Sequence, residues 1–486
     1  MKQVNCSKQL MCAAIIFMLG IGIFSCKSTD NANVSVAYFK VGQPVKSGAG
    51  NPVSGSVKGY MKSDSSYYIT GDTYINALDT LVLQPGAKIY FKGNYNLVVK
   101  GTLLSLGIKD KQNYISIEGV KKTDTQGAPA GPDPAYGQVS SGITPWGGIL
   151  CDSSCKALIL KWTHVEYGGN TIATTPISGV KNGQTAWMIT FDSPKGIFVL
   201  EDSWIYGGVD DPIRIQGGKI NIMRNTFEKS GFQGGECINI KGNTVGNVAY
   251  NLFIGSGTNG PKASNKGVTT TQTNIYMYNN TMVNCGFRRN ESGRGGSMNF
   301  EEGAKGNAYN NIMVNCKYGL RIVGATKSYN GNSLVVADTT SLRNHYGYNL
   351  NYTDSVAVAN QIYPVGFYTF PQTTDFPLST SYLPANYQVG QVYDGKKAVQ
   401  ASGTNPQFVN FPLPQSGGTL SSISYATGFD FHLKPSSPAL GKGYTSFSPL
   451  SVVPVSDNFG ASTTYGITLP NKDLGAYPND GTGNQH

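Results

Sequence analysis

Two stretches 31 residues apart read almost alike, YNNTMVNC at 278–285 and YNNIMVNC at 309–316. Self-similarity constrains a fold more than local propensity does, because each copy must become the same structural unit. The pattern N-x-Φ, with Φ a large apolar residue, recurs at Asn225-Thr226-Phe227, Asn251-Leu252-Phe253, Asn280-Thr281-Met282, Asn311-Ile312-Met313 and Asn332-Ser333-Leu334. Looser copies stand upstream at Asp202-Ser203-Trp204 and Thr163-His164-Val165. From Asp202 the spacings are 23, 26, 29, 31 and 21, so the period lies near 21–25 with insertions.

The likeness extends outward from each anchor. Three residues beyond Φ stand Gly168, Gly207, Ser230, Ser256, Cys285, Cys316 and Ala337. Cys285 and Cys316 share a slot with Gly, Ser and Ala, so they are expected to be small buried fillers. A disulfide between stacked neighbours is the alternative, and a metal site is less favoured still. Ahead of the anchors lie short alternating segments: ITFD (189–192), IRIQ (213–216), INIK (238–241), VTTT (268–271), MNFE (298–301) and LRIV (320–323). Period-two alternation indicates strands with one buried face. Strands that recur in one direction at this period, with no helix between them, coil into a parallel β-solenoid with rungs about 4.8 Å apart. The expected fold is all-β, a parallel β-helix with three strands per rung. Its asparagines stack as a ladder in which each side chain satisfies a neighbouring turn.

With these repeats in view, the chain resembles the right-handed parallel β-helix proteins of the pectin-lyase-like superfamily, in particular exported Bacteroidetes-type lipoproteins. YYITGDTYINALDTLVLQPGAKIYFKGNYNLVVKGTLLSLG (67–107) is similar to the opening rungs of such proteins. PWGGILCDSSCKALILKWTHVEYGG resembles an internal rung, and NPQFVNF, DFHLKPSSPALGKG and DLGAYP resemble their closing segments. The resemblance implies the fold and leaves activity open, because the superfamily includes lyases, hydrolases, epimerases and binding proteins.

The amino terminus carries Lys2 and Lys8, then the apolar run MCAAIIFMLGIGIF, then IFSC ending at Cys26. The run is short for a membrane span and has the layout of a secretory signal. IFSC resembles a bacterial lipobox, which implies lipidation of Cys26 and an outer-membrane lipoprotein at the cell surface or the periplasmic face. The expected organisation is a signal peptide over 1–25, a flexible Ser/Gly/Asn-rich tether over 26–56, the β-helix over 57–345, and a loop-rich region over 346–486 that packs on the helix or caps it. Loss of residues 1–25 lowers the formal charge from +10 to +8. A thin positive excess on an exported chain points to anionic glycans or membrane surfaces rather than nucleic acid. Beyond Cys26 the cysteines are Cys151, Cys155, Cys237, Cys285 and Cys316, an odd number that leaves at least one thiol unpaired within the chain. Cys151 and Cys155 are spaced for a small disulfide.

Outward-facing residues of the alternating segments form two columns. One reads Leu150, Thr190, Arg214, Asn239, Thr269, Asn299, Arg321; the other reads Asp152, Asp192, Gln216, Lys241, Thr271, Glu301, Val323. Loops with the longest insertions precede these segments, so a polysaccharide cleft is expected along this sheet. Arg214 and Lys241 are the candidate catalytic residues for β-elimination on a uronate, which needs a base at C5 and positive charge on the carboxylate. Gln216, Asn239, Asn299, Arg321 and Glu301 are candidate substrate contacts. Asp192, Asp211 and Glu236 are the candidate ligands of a Ca²⁺ ion. Tyr206, Phe232 and Phe287 offer stacking surface, and Arg288, Arg289 and Arg294 are placed to steer an acidic polymer. Whether the chain cleaves is left open. A lyase is favoured over a glycoside hydrolase: Asp192 and Glu301 lie about four rungs, or 19 Å, apart, whereas hydrolysis needs carboxyls about 5–9.5 Å apart, which leaves Asp192 with Asp210 or Asp211 as the pair that could come close enough. A non-catalytic glycan-binding lipoprotein and a structural or adhesive surface protein are the other readings. The expected partners are the polysaccharide, the outer membrane and glycan-uptake machinery.

Overall fold

A computed structural model describes residues 38–119, 145–172, 180, 182–184, 187–231, 234–287, 289, 291, 295–322, 345–353, 405–411, 429–453 and 467–486. Among these residues there is no α-helix. Twenty-seven strands join one hydrogen-bonded sheet (27-stranded), and every pairing within it is parallel; the exception lies outside, where Phe408–Asn410 pairs antiparallel with Asp430–Leu433. The architecture is the expected right-handed parallel β-helix, with three strands per rung.

Each rung contributes one strand to each of three faces. The first face stacks Leu97–Val99, Ile149–Cys151, Ile189–Phe191, the starts of Ile213–Met223 and Ile238–Ala249, then Pro261–Ser264, Asn299–Glu301 and Arg321–Ile322. The second face runs through Thr102–Leu106, Ala157–Lys161 and Ile197–Glu201 to Lys305–Tyr309 and His345–Gly347. The third runs through Thr163–Glu166, Trp204–Tyr206 and Thr226–Glu228 to Ile312–Val314 and Leu350–Tyr352. The sheet therefore starts before residue 57 and continues past 345. Pro52–Ser56 already pairs with Ser66–Ile75, which puts the end of the expected tether inside the sheet. Inward-facing Ile, Leu, Val, Phe and Met residues fill the axis as one continuous core.

The asparagine ladder is present, and its geometry explains the repeated motif. The Asn225 backbone N–H donates to Asn251 Oδ1 at 3.0 Å, Asn251 N–H to Asn280 Oδ1 at 3.0 Å, Asn280 N–H to Asn311 Oδ1 at 2.9 Å, and Asn311 N–H to Asn349 Oδ1 at 2.9 Å. Each Nδ2 in turn donates to the carbonyl three residues before the neighbouring rung's ladder residue, as Asn280 does to Val248 at 2.9 Å. The residue ahead of each ladder position is left-handed: Arg224, Tyr250, Asn279, Asn310 and Tyr348 have φ between 54 and 62° or, for Asn279, 51°. Asn284 and Asn315 are left-handed too, at 52° and 49°. In Tyr-Asn-Asn-x-Met-Val-Asn-Cys the first and third asparagines thus make bends that asparagine tolerates well. The second is the ladder rung, and the cysteine is the inward filler.

Three details of the expected register change. Trp204 pairs with Thr226, so Ser203 rather than Asp202 continues the ladder, its Oγ accepting from Thr163 N–H at 3.0 Å. The last described ladder member is Asn349; Asn332 lies outside the described residues. The segment 268–271 is not a strand: the strand that follows Ile238–Ala249 on the first face is Pro261–Ser264, and the Thr269 and Thr271 amides donate instead to Asn243 Oδ1. Cys151, Cys155, Cys237, Cys285 and Cys316 are all buried free thiols, so the Cys151–Cys155 disulfide is not formed.

The described carboxy-terminal segments lie along the second and third faces. Asn247 exchanges hydrogen bonds with Leu450, and Asn310 does so with Tyr444. Tyr278 Oη donates to the Thr468 carbonyl at 2.6 Å, and Asn484 Nδ2 donates to the Asn225 carbonyl at 3.0 Å. A second apolar cluster, with Phe408, Phe411, Phe431, Leu474 and Tyr477, covers Tyr250, Tyr278 and Tyr309. Trp187 and Val180 pack over the early rungs of the first face near Leu150.

Candidate functional site

On the first face, Ile213, Ile215, Ile238, Ile240, Ala263 and Phe300 point into the core. Alternation then sends Arg214, Asn239, Lys262 and Asn299 outward, and strand pairing stacks them in that order between Thr190 and Arg321. The second outward column carries Asp192, Gln216, Lys241, Ser264 and Glu301. Lys262 takes the place expected for Thr269, and Ser264 that expected for Thr271. Val323 lies outside the described residues.

Two loops bring carboxylates to this column. Gly235 has φ +108°, and a Cβ there would stand 2.7 Å from the Asp210 carbonyl, so glycine lets the loop carrying Glu236 lie against the loop carrying Asp210 and Asp211. The Glu236 backbone N–H donates to Asp211 Oδ1 at 2.8 Å. Asn239 Nδ2 donates to Asp211 Oδ2 at 2.6 Å and to Glu236 Oε2 at 3.4 Å. Lys262 Nζ donates to Glu236 Oε1 and lies 4.0 Å from Glu301 Oε2. Asn299 Nδ2 donates to Glu301 Oε1 at 3.0 Å. Both amide groups are oriented by carboxylates, and their Oδ1 atoms are left buried with no hydrogen-bond partner among the described residues. Buried acceptors without donors are uncommon in folded proteins.

Charge in this cluster is strongly redistributed. Burial first, then Glu236, pushes the Asp211 carboxyl far up, so the proton between these two acids belongs to Asp211. Burial opposes ionisation of Glu236, but Lys262 and the hydrogen bonds from Asp211 and Lys262 outweigh it and hold Glu236 far below the usual range. Glu301 is likewise lowered against its burial, chiefly by Lys262. Lys262, with those two carboxylates beside it, is held well above the usual lysine range despite its own burial. Lys241 behaves in the opposite sense. It is 7% exposed, and its side-chain amine makes no hydrogen bond or ion pair among the described residues. Burial, followed by the nearby Lys262 charge, pushes it down to about 8. Arg214 lies with its guanidinium carbon 4.1 Å from the Trp187 ring centroid, a cation–π stack.

A second group of cations stands at the far end of the column. Arg321 lies 5.6 Å from the centre of the Tyr318 ring, and so does Lys317. Lys317 Nζ donates to the Arg289 carbonyl at 2.6 Å and to the Glu291 carbonyl at 3.1 Å, tying that strand end to the loop above it. Arg288 and Arg294 lie outside the described residues.

The structure thus brings Arg214, Lys241, Asn239, Asn299, Glu301, Arg321, Asp211 and Glu236 onto one face. Gln216 shares the column, but its amide donates to the Gly242 and Gly267 carbonyls at 3.2 and 3.3 Å. The expected calcium trio does not assemble: no group of three His, Cys, Asp or Glu side chains suited to a metal ion occurs among the described residues. Glu236 is occupied by Lys262, and Asp192 lies beside Arg214 and Asp152, its carboxyl raised by burial and by Asp152. Tyr206 is buried in the core and offers no platform, Phe232 lies outside the described residues, and Phe287 is half-buried. Among the described residues, the aromatic rings that meet cations of the column are Trp187 and Tyr318. Lys262 was hidden from the sequence pattern because PKAS holds a single inward apolar residue and begins with proline, which argues against a central strand. Cys26 lies outside the described residues, and among those described no helix is long and apolar enough to cross a membrane.

Comparison with family models, with curated proteins and with solved structures gives no match to this chain.

Proposed function

We propose that the protein is an outer-membrane lipoprotein that binds an acidic polysaccharide along the first face of its β-helix and cleaves it by β-elimination, with Lys241 as the base. The observation that carries this reading is the state of Lys241. A general base works best with a pKa near the operating pH, and burial beside Lys262 lowers this amine to about 8 while leaving it without a hydrogen-bonded partner among the described residues. Arg214, one rung away, is placed to neutralise a uronate carboxylate, which makes the C5 proton more acidic. Lys241 takes that proton, the C4–O bond to the next sugar breaks, and a C4=C5 double bond forms without consuming water. In this reading half-buried Asp210, raised by burial and then by Glu236, gives its proton to the leaving oxygen.

Hydrolysis is less well served. It needs one carboxyl kept protonated and another free to act across the bond. Asp210 could supply the first, but Glu236 and Glu301 are both engaged by Lys262, so neither is free to act as base or nucleophile opposite it. The test is to incubate the protein and its Lys241→Met variant with a panel of acidic polysaccharides and follow ultraviolet absorbance of an unsaturated product. The reading expects absorbance from the parent on at least one polymer and none from the variant. Equal absorbance from both would remove Lys241 from the chemistry. Binding without product from either would leave a glycan-binding lipoprotein, the reading with the next best support in the paired cations and aromatic rings.

A further inference from the structure

Resting on the acidic-polysaccharide reading above, we propose that the ligand is a heteroglycan in which acidic sugars are separated by neutral ones, rather than a polymer with an acid on every sugar. The face alternates in charge along the direction a chain would follow. Arg214 supplies positive charge at one end, and Arg321 with Lys317 does so at the other. Arg214 and Arg321 stand in the same column four strand spacings apart, about 19 Å. The rungs between them are different in kind. Lys262 is engaged by two carboxylates, Glu236 and Glu301, so this trio carries one more negative charge than positive. Beside it lie the Oδ1 atoms of Asn239 and Asn299, acceptors buried with no hydrogen-bond partner among the described residues.

A carboxylate set against this middle stretch meets like charge and two more acceptors, at a cost of desolvation with nothing returned. A sugar that brings hydroxyl groups supplies the donors that both amide oxygens lack. Specificity of this kind comes from the repulsive middle as much as from the attractive ends.

The experiment measures binding of two sets of oligosaccharides of equal length, one of uronate at every position and one of uronate alternating with a neutral hexose, by titration calorimetry at low salt with the Lys241→Met variant so that nothing is cleaved. The alternating set should bind tighter by on the order of tenfold, or about 1.4 kcal/mol. Replacing Glu301 by glutamine removes one middle charge and should narrow the gap by improving affinity for the all-uronate set. Equal or tighter binding of the all-uronate set overturns the proposal while leaving the acidic-polysaccharide reading standing. Binding of neither set overturns both.

Discussion

Asn280→Ala is the sharpest probe of what holds the rungs together. In the folded chain Asn280 Oδ1 accepts from Asn251 N–H at 3.0 Å and from Asn251 Nδ2 at 3.1 Å. Its own Nδ2 donates to the Val248 carbonyl at 2.9 Å and to Asn311 Oδ1 at 3.0 Å. Alanine removes all four bonds in a fully buried turn. The Asn251 backbone N–H then loses its acceptor with no water to replace it, at about 1–3 kcal/mol, and each of the other bonds contributes about 0.5–1.5 kcal/mol. Even the low ends together give about 2.5 kcal/mol. Thr269→Ala is the matched control, because that residue is exposed and its hydroxyl makes only a 3.4 Å contact to Asn243. Urea unfolding followed by far-ultraviolet circular dichroism should place the Asn280→Ala midpoint well below that of Thr269→Ala, which should lie close to the parent. Coincident midpoints for the two variants would refute the ladder as a source of stability.

Other outcomes follow from the charged cluster and the amino terminus. Product formation should rise with pH through about 8 as Lys241 loses its proton, and a profile flat across that range would separate Lys241 from the rate. The same group makes folding stability rise with pH between about 8 and the ordinary lysine value near 10.4, because there the unfolded chain holds a proton that the folded chain does not; Lys241→Met should abolish that rise without lowering the melting temperature. Lys262→Gln should cost about 3–5 kcal/mol, since it leaves buried Glu236 and half-buried Glu301 without their cation, and an unchanged denaturation midpoint would contradict the pairing. Cys26→Ser should move the exported protein from the membrane to the soluble fraction, because stable anchoring requires the lipid chains; continued sedimentation with outer membranes would contradict lipidation at Cys26.

Much of the fold was legible because side chains with one job recur at one spacing. Asn225, Asn251, Asn280 and Asn311 each satisfy the next rung's backbone, so their type cannot drift. The pattern fails where another group does the same work. Ser203 Oγ replaces an asparagine oxygen, which shifted the apparent register by one residue, and the 38-residue step from Asn311 to Asn349 hides the last described ladder member behind an insertion. Arg214, Asn239, Asn299 and Arg321 were legible as one outward column because isoleucine and phenylalanine alternate beside them. Lys262 was not, and it is the residue around which the charges of the site are arranged. The carboxy-terminal cover was also out of reach, since contacts such as Asn484 to Asn225 span 259 residues and carry no local period.

The central claim is that an acidic glycan lies on the first face, between Arg214 and Arg321, with a uronate C5 against Lys241. A crystal structure of the Lys241→Met variant with the acidic oligosaccharide that binds it best tests this directly. The account predicts sugar density over Asn239, Lys262 and Asn299, with a carboxylate against Arg214 and the methionine side chain facing C5. Density on the second or third face, or on the carboxy-terminal segments, would contradict it.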